Sequence, residues 1–372
     1  MQDSISRIPK GTPPESLSHN RAACKAIIKP CKIFILGEAP GEQEELTGLP
    51  FMGESGAELS RMLSHAGIVK SDCSISNVFS YRPAGNQITE FCIDRLEWRK
   101  SEKQFPWPSS GSNCFSPAFY EWEFSRLQEE LAIANPYLII ALGNTALWAL
   151  TGESKISKLR GTLLTSRLTS FPYKILPTYH PAAVLRQWDL RPVVVADLIK
   201  AKRESESRDL SRPTRQIWLE PSYEDICRFE HLFFPNCETL TIDIETAFEQ
   251  ITCIGFAPNK TTAICIPFID MTKPDRCFYS REEELKIWKK IREWLALPLR
   301  KRLQNGLYDL QYLYRYGASM KNFTSDTMLA HHSLYPELPK DLGFLGSIYT
   351  DEPAWKMMRP RGGEGTKLKK DD

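Results

Sequence analysis

Two loops of the 372-residue chain carry the side chains best suited to chemistry. In the first, Gly37-Glu38-Ala39-Pro40-Gly41 follows the apolar run Lys32-Ile33-Phe34-Ile35-Leu36, so a buried strand ends in a Gly/Pro turn that holds a carboxylate. In the second, Tyr179-His180-Pro181-Ala182-Ala183-Val184-Leu185-Arg186 follows a weaker strand pattern, Tyr173-Lys174-Ile175-Leu176-Pro177, and sets an imidazole before a proline-stiffened turn. Ligands of open α/β sheets bind at the C-terminal edges of strands, so an acid and a histidine on two such edges frame a cleft. A third feature lies in Thr239-Leu240-Thr241-Ile242-Asp243-Ile244-Glu245-Thr246. Strand period two points Asp243 and Glu245 the same way. Burying that pair uncompensated is costly, so a metal or solvent must lie opposite.

The elements needed to position these groups divide the chain. A length of 372 residues exceeds a single core, and 42% apolar with 25% charged residues is the composition of a globular protein. A polar arm is expected over 1–20, a first domain over 21–205, a linker over 206–219, a second domain over 220–358 and a charged tail over 359–372. The Ser/Arg-rich stretch through Arg208 and the break at Ser211-Arg212-Pro213 mark the boundary. Residues 93–120 interrupt the first domain with Trp, Arg, Lys and Pro, which reads equally as a nucleic-acid-contacting loop or a surface insertion. Net charge is +2, so nucleic-acid contact would come from local patches rather than a cationic coat. No apolar h-region and no run of about 18 apolar residues is present, and ten cysteines without regular pairing read as reduced thiols; a cytoplasmic bacterial or phage setting with no membrane partner is expected.

Five motifs in order over roughly 21–205 resemble the uracil-DNA glycosylase superfamily, most closely its family-4 branch. They are Gly37–Gly41, Leu49-Pro50-Phe51-Met52-Gly53, Ser76-Asn77-Val78-Phe79-Ser80-Tyr81-Arg82-Pro83, the Pro136–Ala146 strand and turn followed by Lys158-Leu159-Arg160-Gly161, and the His180 loop. The resemblance implies a three-layer α/β/α domain with a four-stranded, mainly parallel sheet. It also implies excision of a flipped uracil from single- or double-stranded DNA. Gly37, Phe51 and Asn77 would hold the base, Phe51 by stacking and Asn77 by its edge; His180 would polarise the carbonyl where anionic charge develops. The Pro181–Arg186 loop would press into DNA, with Val184 or Leu185 as wedge and Arg186 on phosphate. A related branch has a water-activating aspartate where this chain has Ala39; Glu38 is the nearest carboxylate, with Glu42 and Glu44 as further candidates. Family-4 members hold an iron–sulfur cluster on four cysteines, one just before the Arg-Pro of the middle motif, where Tyr81 stands here. No cluster is expected, although Cys24, Cys31, Cys92 and Cys114 could converge in space.

Residues 220–356 resemble the 3′–5′ exonuclease domain of family-A DNA polymerases, in the DnaQ-like (DEDD) superfamily. Asp243 and Glu245 match D-x-E, Asn305 and Asp309 match N-x-x-x-D, and Ser325-Asp326-Thr327-Met328-Leu329-Ala330 matches the following helix start. The resemblance implies an RNase H-like mixed sheet. It further implies Mg²⁺ or Mn²⁺ on Asp243, Glu245 and Asp309, and Asn305 as a DNA contact. Asp326 is expected to cap its helix. The third family motif is not found, and Tyr349-Thr350-Asp351 has the wrong spacing. A crippled exonuclease, a site completed by another chain such as a DNA polymerase subunit, and the N-terminal fragment of a phage family-A polymerase all stay open. So does a non-catalytic DNA-binding replication accessory protein.

Overall fold

A computed structural model of the chain describes residues 5–7, 23–94, 108–110, 113–115, 117–167, 169, 171–210 and 214–352. The chain divides into two compact units, Met1–Leu210 together with Gly343–Asp372, and Ser211–Leu342.

The first unit runs through β1 (Ile5–Arg7), β2 (Ala26–Ile28), β3 (Ile33–Gly37), α1 (Glu42–Thr47), α2 (Glu54–His65) and β4 (Ser74–Asn77). Next come a small separate sheet of β5 (Cys92–Asp94), β6 (Pro108–Ser110) and β7 (Asn113–Phe115), then α3 (Pro117–Ala134) and β8 (Leu138–Leu142). The unit continues with α4 (Gly143–Thr151), α5 (Ile156–Leu159), β9 (Leu164–Thr165), β10 (Lys174–Thr178), α6 (Pro181–Arg186) and α7 (Arg191–Glu204).

Its main sheet has seven strands in the order β1-β2-β4-β3-β8-β10-β9. The expected four parallel strands form the centre, β4-β3-β8-β10. Short antiparallel strands extend both edges, which the expectation of a four-stranded sheet omitted. Alternate residues of the buried strands feed two cores. Phe34, Leu36, Ile139 and Ala141 pack with Leu127, Leu131 and Trp148 on one side; Ile33, Ile35, Ile140 and Leu142 pack with Leu59, Met62, Val194 and Leu198 on the other. Strands buried on both faces need apolar residues at every position, which is why β3 and β8 read as continuous apolar runs.

The second unit comprises β11 (Gln216–Leu219), α8 (Tyr223–Phe233), β12 (Thr239–Ala247), β13 (Gln250–Ala257), β14 (Thr262–Pro267) and α9 (Arg281–Ala296). It then runs through β15 (Arg300–Leu303), α10 (Gly306–Arg315), β16 (Phe323–Asp326) and α11 (Thr327–Leu334). The sheet order is β11-β14-β13-β12-β15-β16. An antiparallel meander, β12 to β14, is joined at β12 by parallel β15 and β16. Leaving out β11, this is the 3-2-1-4-5 strand order of an RNase H-like fold. Leu240, Ile242 and Ile244 of β12 enter a core with Phe229, Trp288, Ile291 and Trp294, while Asp243 and Glu245, on the opposite face of the strand, are exposed.

Two expected boundaries shift. β11 lies inside the expected 206–219 linker, paired in parallel with β14; its side chains are largely exposed, so it lacks the apolar signature of a strand. The last helix, α12 (Leu342–Tyr349), was expected in the second domain, yet from Gly343 onward the chain belongs to the first unit. Arg160 donates to Ser347 Oγ (2.7 Å) and lies 5.5 Å from the Phe344 ring centre, and Lys200 Nζ donates to the Thr350 carbonyl (2.8 Å). Among the described residues no helix is long and apolar enough to cross a membrane. The expected arm, the 93–120 segment and the tail lie wholly or largely outside the described residues.

Candidate active site

The parallel strands of the first unit end along one edge, and there the expected base-binding residues meet. Gly37 and Asn77 are register partners at the ends of β3 and β4. A Cβ on Gly37 would collide with Asn77 Oδ1 and with the Phe51 ring, so only glycine permits this approach. Phe51 is buried with φ 55°, in the left-handed region. Such a backbone persists only where its surroundings over-determine it, and here they do. The Met52 and Gly53 N–H groups each donate to Glu44 Oε1 at 2.8 Å, and Lys70 Nζ donates to the Phe51 carbonyl at 3.3 Å. Glu44 also accepts the Gly41 N–H at 3.1 Å. Its carboxylate is thus engaged by three main-chain donors and serves to hold this loop; Glu42 is exposed beside Arg82.

His180 ends the turn after β10 and caps α6. Its Nδ1 accepts the Ala182 N–H at 3.2 Å, which leaves the ring proton on Nε2. Burial, reinforced by the Arg186 charge, lowers its pKa to about 4, so the ring is neutral at physiological pH. Its ring centre lies 6.0 Å from that of Phe51. Glu38 accepts a hydrogen bond from the Thr145 hydroxyl; burial raises its pKa, opposed by that bond and by Arg186. Gly37, Glu38, Phe51, Asn77 and His180 therefore share one strand-end site with Arg186 at its side.

Of the two candidate wedges, Val184 is excluded. It is fully buried in the core under the sheet, whereas Leu185, the next residue on α6, is 43% exposed. Trp188, just beyond Arg186, is also exposed, with Arg191 5.4 Å from its ring centre. The sequence reading passed over it because it follows the matched motif.

Among the described residues no group of three or more His, Cys, Asp or Glu is set to hold a metal. Cys24 lies near Ser80, with its thiol pushed up to about 12 by burial; Cys31 neighbours Ser74 and Cys73, and Cys92 contacts the Ile88 carbonyl. The Cys114 side chain lies outside the described residues. Tyr81, at the family's cysteine position, is buried and packs on Trp122 at 5.8 Å.

In the second unit Asp309 is buried at the start of α10, with Oδ1 accepting the Ile244 N–H at 3.0 Å. Burial pushes its pKa up to about 6, with the charge of Asp243 adding to the effect; Asp243 is raised by burial and then by Glu245. Asp326 caps α11 by accepting the Met328 (2.8 Å) and Leu329 (3.3 Å) N–H groups, and it accepts those of Asn305 and Gly306 as well. Asn305 takes a left-handed conformation, φ 56°, at the N-cap of α10. Among the described residues no three His, Cys, Asp or Glu side chains are set to enclose a metal ion. Their oxygen chemistry nevertheless suits Mg²⁺, which binds through one or two carboxylates and fills its shell with water and phosphate.

Comparison with known proteins bears on the first unit. The pattern of the uracil DNA glycosylase superfamily matches residues 28–201. The type-4 uracil-DNA glycosylase of Thermotoga maritima is 33% identical over 175 residues, covering 46% of this chain and 76% of that protein. That of Pyrobaculum aerophilum is 32% identical over 171 residues, covering 45% and 74%. Among solved structures, Brucella melitensis NrnC shares 15% identity over 38% of this chain and 63% of its own, with a TM-score of 0.25. The EXD2 exonuclease domain soaked in Mn and GMP shares 15% identity over 40% of this chain and 77% of its own, also with a TM-score of 0.25. Through its first unit, the chain belongs to the uracil-DNA glycosylase superfamily.

Proposed function

We propose that the first unit hydrolyses the N-glycosidic bond of uracil in DNA, and that it does so without metal. The observation that carries this reading is the neutral His180, whose Nδ1 is occupied by the Ala182 N–H and whose Nε2–H remains as a donor beside Phe51, Gly37 and Asn77. A flipped base stacks on Phe51 and is read on its edge by Asn77. As the glycosidic bond breaks, its electron pair goes to the base. The anion that forms is stabilised by the His180 Nε2–H, a fixed donor in a partly buried site. Glu38, held by Thr145 and kept near the cleft, orients or deprotonates the attacking water. Leu185 fills the space left by the base and Arg186 contacts phosphate. Removing one oxyanion donor costs about 10²–10³ in rate; His180→Ala should lose that much in single-turnover uracil release while still binding DNA. Unchanged release would remove His180 from this role. No release from the unsubstituted chain, with DNA binding kept, would support a non-catalytic accessory protein instead.

A second reading is favoured by the crowding of Asp243 and Asp309. We propose that these acids, with Glu245, hold Mg²⁺ or Mn²⁺ when DNA is bound, with Asn305 near the strand. The metal would supply an activated water and charge stabilisation for phosphodiester cleavage. Asp243 and Asp309 would orient it, with Asp309 itself held by the Ile244 N–H. Metal-dependent release of 3′ nucleotides that is lost in Asp243→Asn would support this reading, and its absence with Mg²⁺ and Mn²⁺ would oppose it.

A further inference from the structure

Beneath Asn77 lies a polar cluster that the glycosylase chemistry leaves unused. Arg126, on α3, is buried and spends its whole guanidinium. Nε donates to Glu123 at 2.7 Å, and Nη1 donates to Glu130 at 2.6 Å and to Ser76 Oγ at 3.0 Å. Nη2 donates to the carbonyls of Asn77 (2.7 Å) and Val78 (2.9 Å). Glu123 in turn accepts the Ser80 N–H (2.6 Å) and hydroxyl (2.7 Å).

The segment 77–80 is therefore gripped from two sides. The Asn77 and Val78 carbonyls point to Arg126, while the Val78 and Phe79 N–H groups donate to the carbonyls of Gly37 and Glu38 at 3.0 Å each. Buried ion networks of this kind are weak devices for stability and better ones for fixing a single arrangement. What this one fixes is the main chain that carries the Asn77 carboxamide. The neighbouring Tyr81 stands where the resembled family has a cluster cysteine, so the middle motif is anchored here by charge and hydrogen bonds.

We propose that Arg126 is a positioning residue for base recognition: through the Asn77 and Val78 carbonyls, and held by Glu123 and Glu130, it sets the Asn77 carboxamide against Gly37 and Phe51. The inference rests on the glycosylase reading. Its test is a double-mutant cycle on single-turnover uracil release, using Arg126→Lys, Asn77→Ala and the pair. Lysine keeps the charge between the two glutamates but lacks the planar fork that reaches both carbonyls.

Arg126→Lys should slow release about 10-fold and weaken inhibition by free uracil by a similar factor, with affinity for abasic DNA within about 2-fold of the unsubstituted chain. In the Asn77→Ala background the same change should cost no more than about 2-fold, because the group it positions is gone. Full additivity, or release by Arg126→Lys within about 2-fold of the unsubstituted rate, would overturn the proposal. Should Arg126→Lys melt below the assay temperature, the isosteric Glu130→Gln replaces it in the same cycle, with a loss of about 3-fold or more expected and the same criterion of non-additivity. An unsubstituted chain that releases no uracil would sink the glycosylase reading and this inference together. Release with an additive cycle would sink this inference alone.

Discussion

The two units present opposite kinds of site. In the first, the recognition groups are uncharged, and close approaches at Gly37 and main-chain bonds to Glu44 hold them in place. In the second, carboxyls crowd one another: Asp309 is pushed up to about 6 by burial and by Asp243, and no three acids close around a cation among the described residues. A site that works by hydrogen bonding can be finished by the fold alone. A site made of like charges stays costly until a counter-ion arrives.

That contrast can be broken from either side, and the largest effects belong to the first unit. Gly37→Ala drives a Cβ into Asn77 and Phe51, and misplacement of this order costs about 10²-fold. Single-turnover uracil release should fall by that factor with DNA affinity little altered; a normal rate would mean that the approach is not needed.

Next comes the pH profile. Burial raises the Glu38 pKa above its ordinary value, so its carboxylate form is lost on acidification sooner than an exposed glutamate's. Release should decline on that acid limb. His180, at about 4, is already neutral above it and adds no limb of its own. Glu38→Gln should lower the plateau about 10²-fold and abolish the limb; a limb that survives the substitution would assign it elsewhere.

Glu44→Ala strands three main-chain N–H groups, two of them beside Phe51. A loss of about 2–4 kcal/mol in unfolding free energy is expected by denaturant melts. An unaffected melt would make the loop self-supporting.

The smallest effect tests the second unit. Mg²⁺ or Mn²⁺ at about 10–100 times its dissociation constant should stabilise this unit by about 1.4–2.7 kcal/mol in thermal melts, and Asp243→Asn should remove the gain. Metal-independent melting of both would leave the acids without a cation.

Much of this arrangement was legible in the sequence for physical reasons. β3 and β12 carry unmistakable patterns, one apolar at every position and one alternating, so Gly37 at a strand end and Asp243 beside Glu245 on an open face followed directly. What escaped depends on contacts distant in sequence. Val184 and Leu185 are adjacent and both aliphatic, and only the packing of α6 on the sheet decides which is buried. β11 is an exposed edge strand with little apolar signal, and α12 returns to the first unit through Arg160 and Lys200, remote partners that its own composition does not reveal. Glu123, Arg126 and Glu130 carry no motif of their own, yet the i,i+3 spacing of Glu123 and Arg126 and the i,i+4 spacing of Arg126 and Glu130 were the available signal of an ion network.

The most direct test of the central claim is release of free uracil by the full chain from a single-uracil oligonucleotide, measured in excess chelator and again with Mg²⁺. Equal release in both conditions, slowed about 10²–10³-fold in His180→Ala, is the expected result. Release only with metal, or none in either condition, would contradict a glycosylase site completed by hydrogen bonding alone.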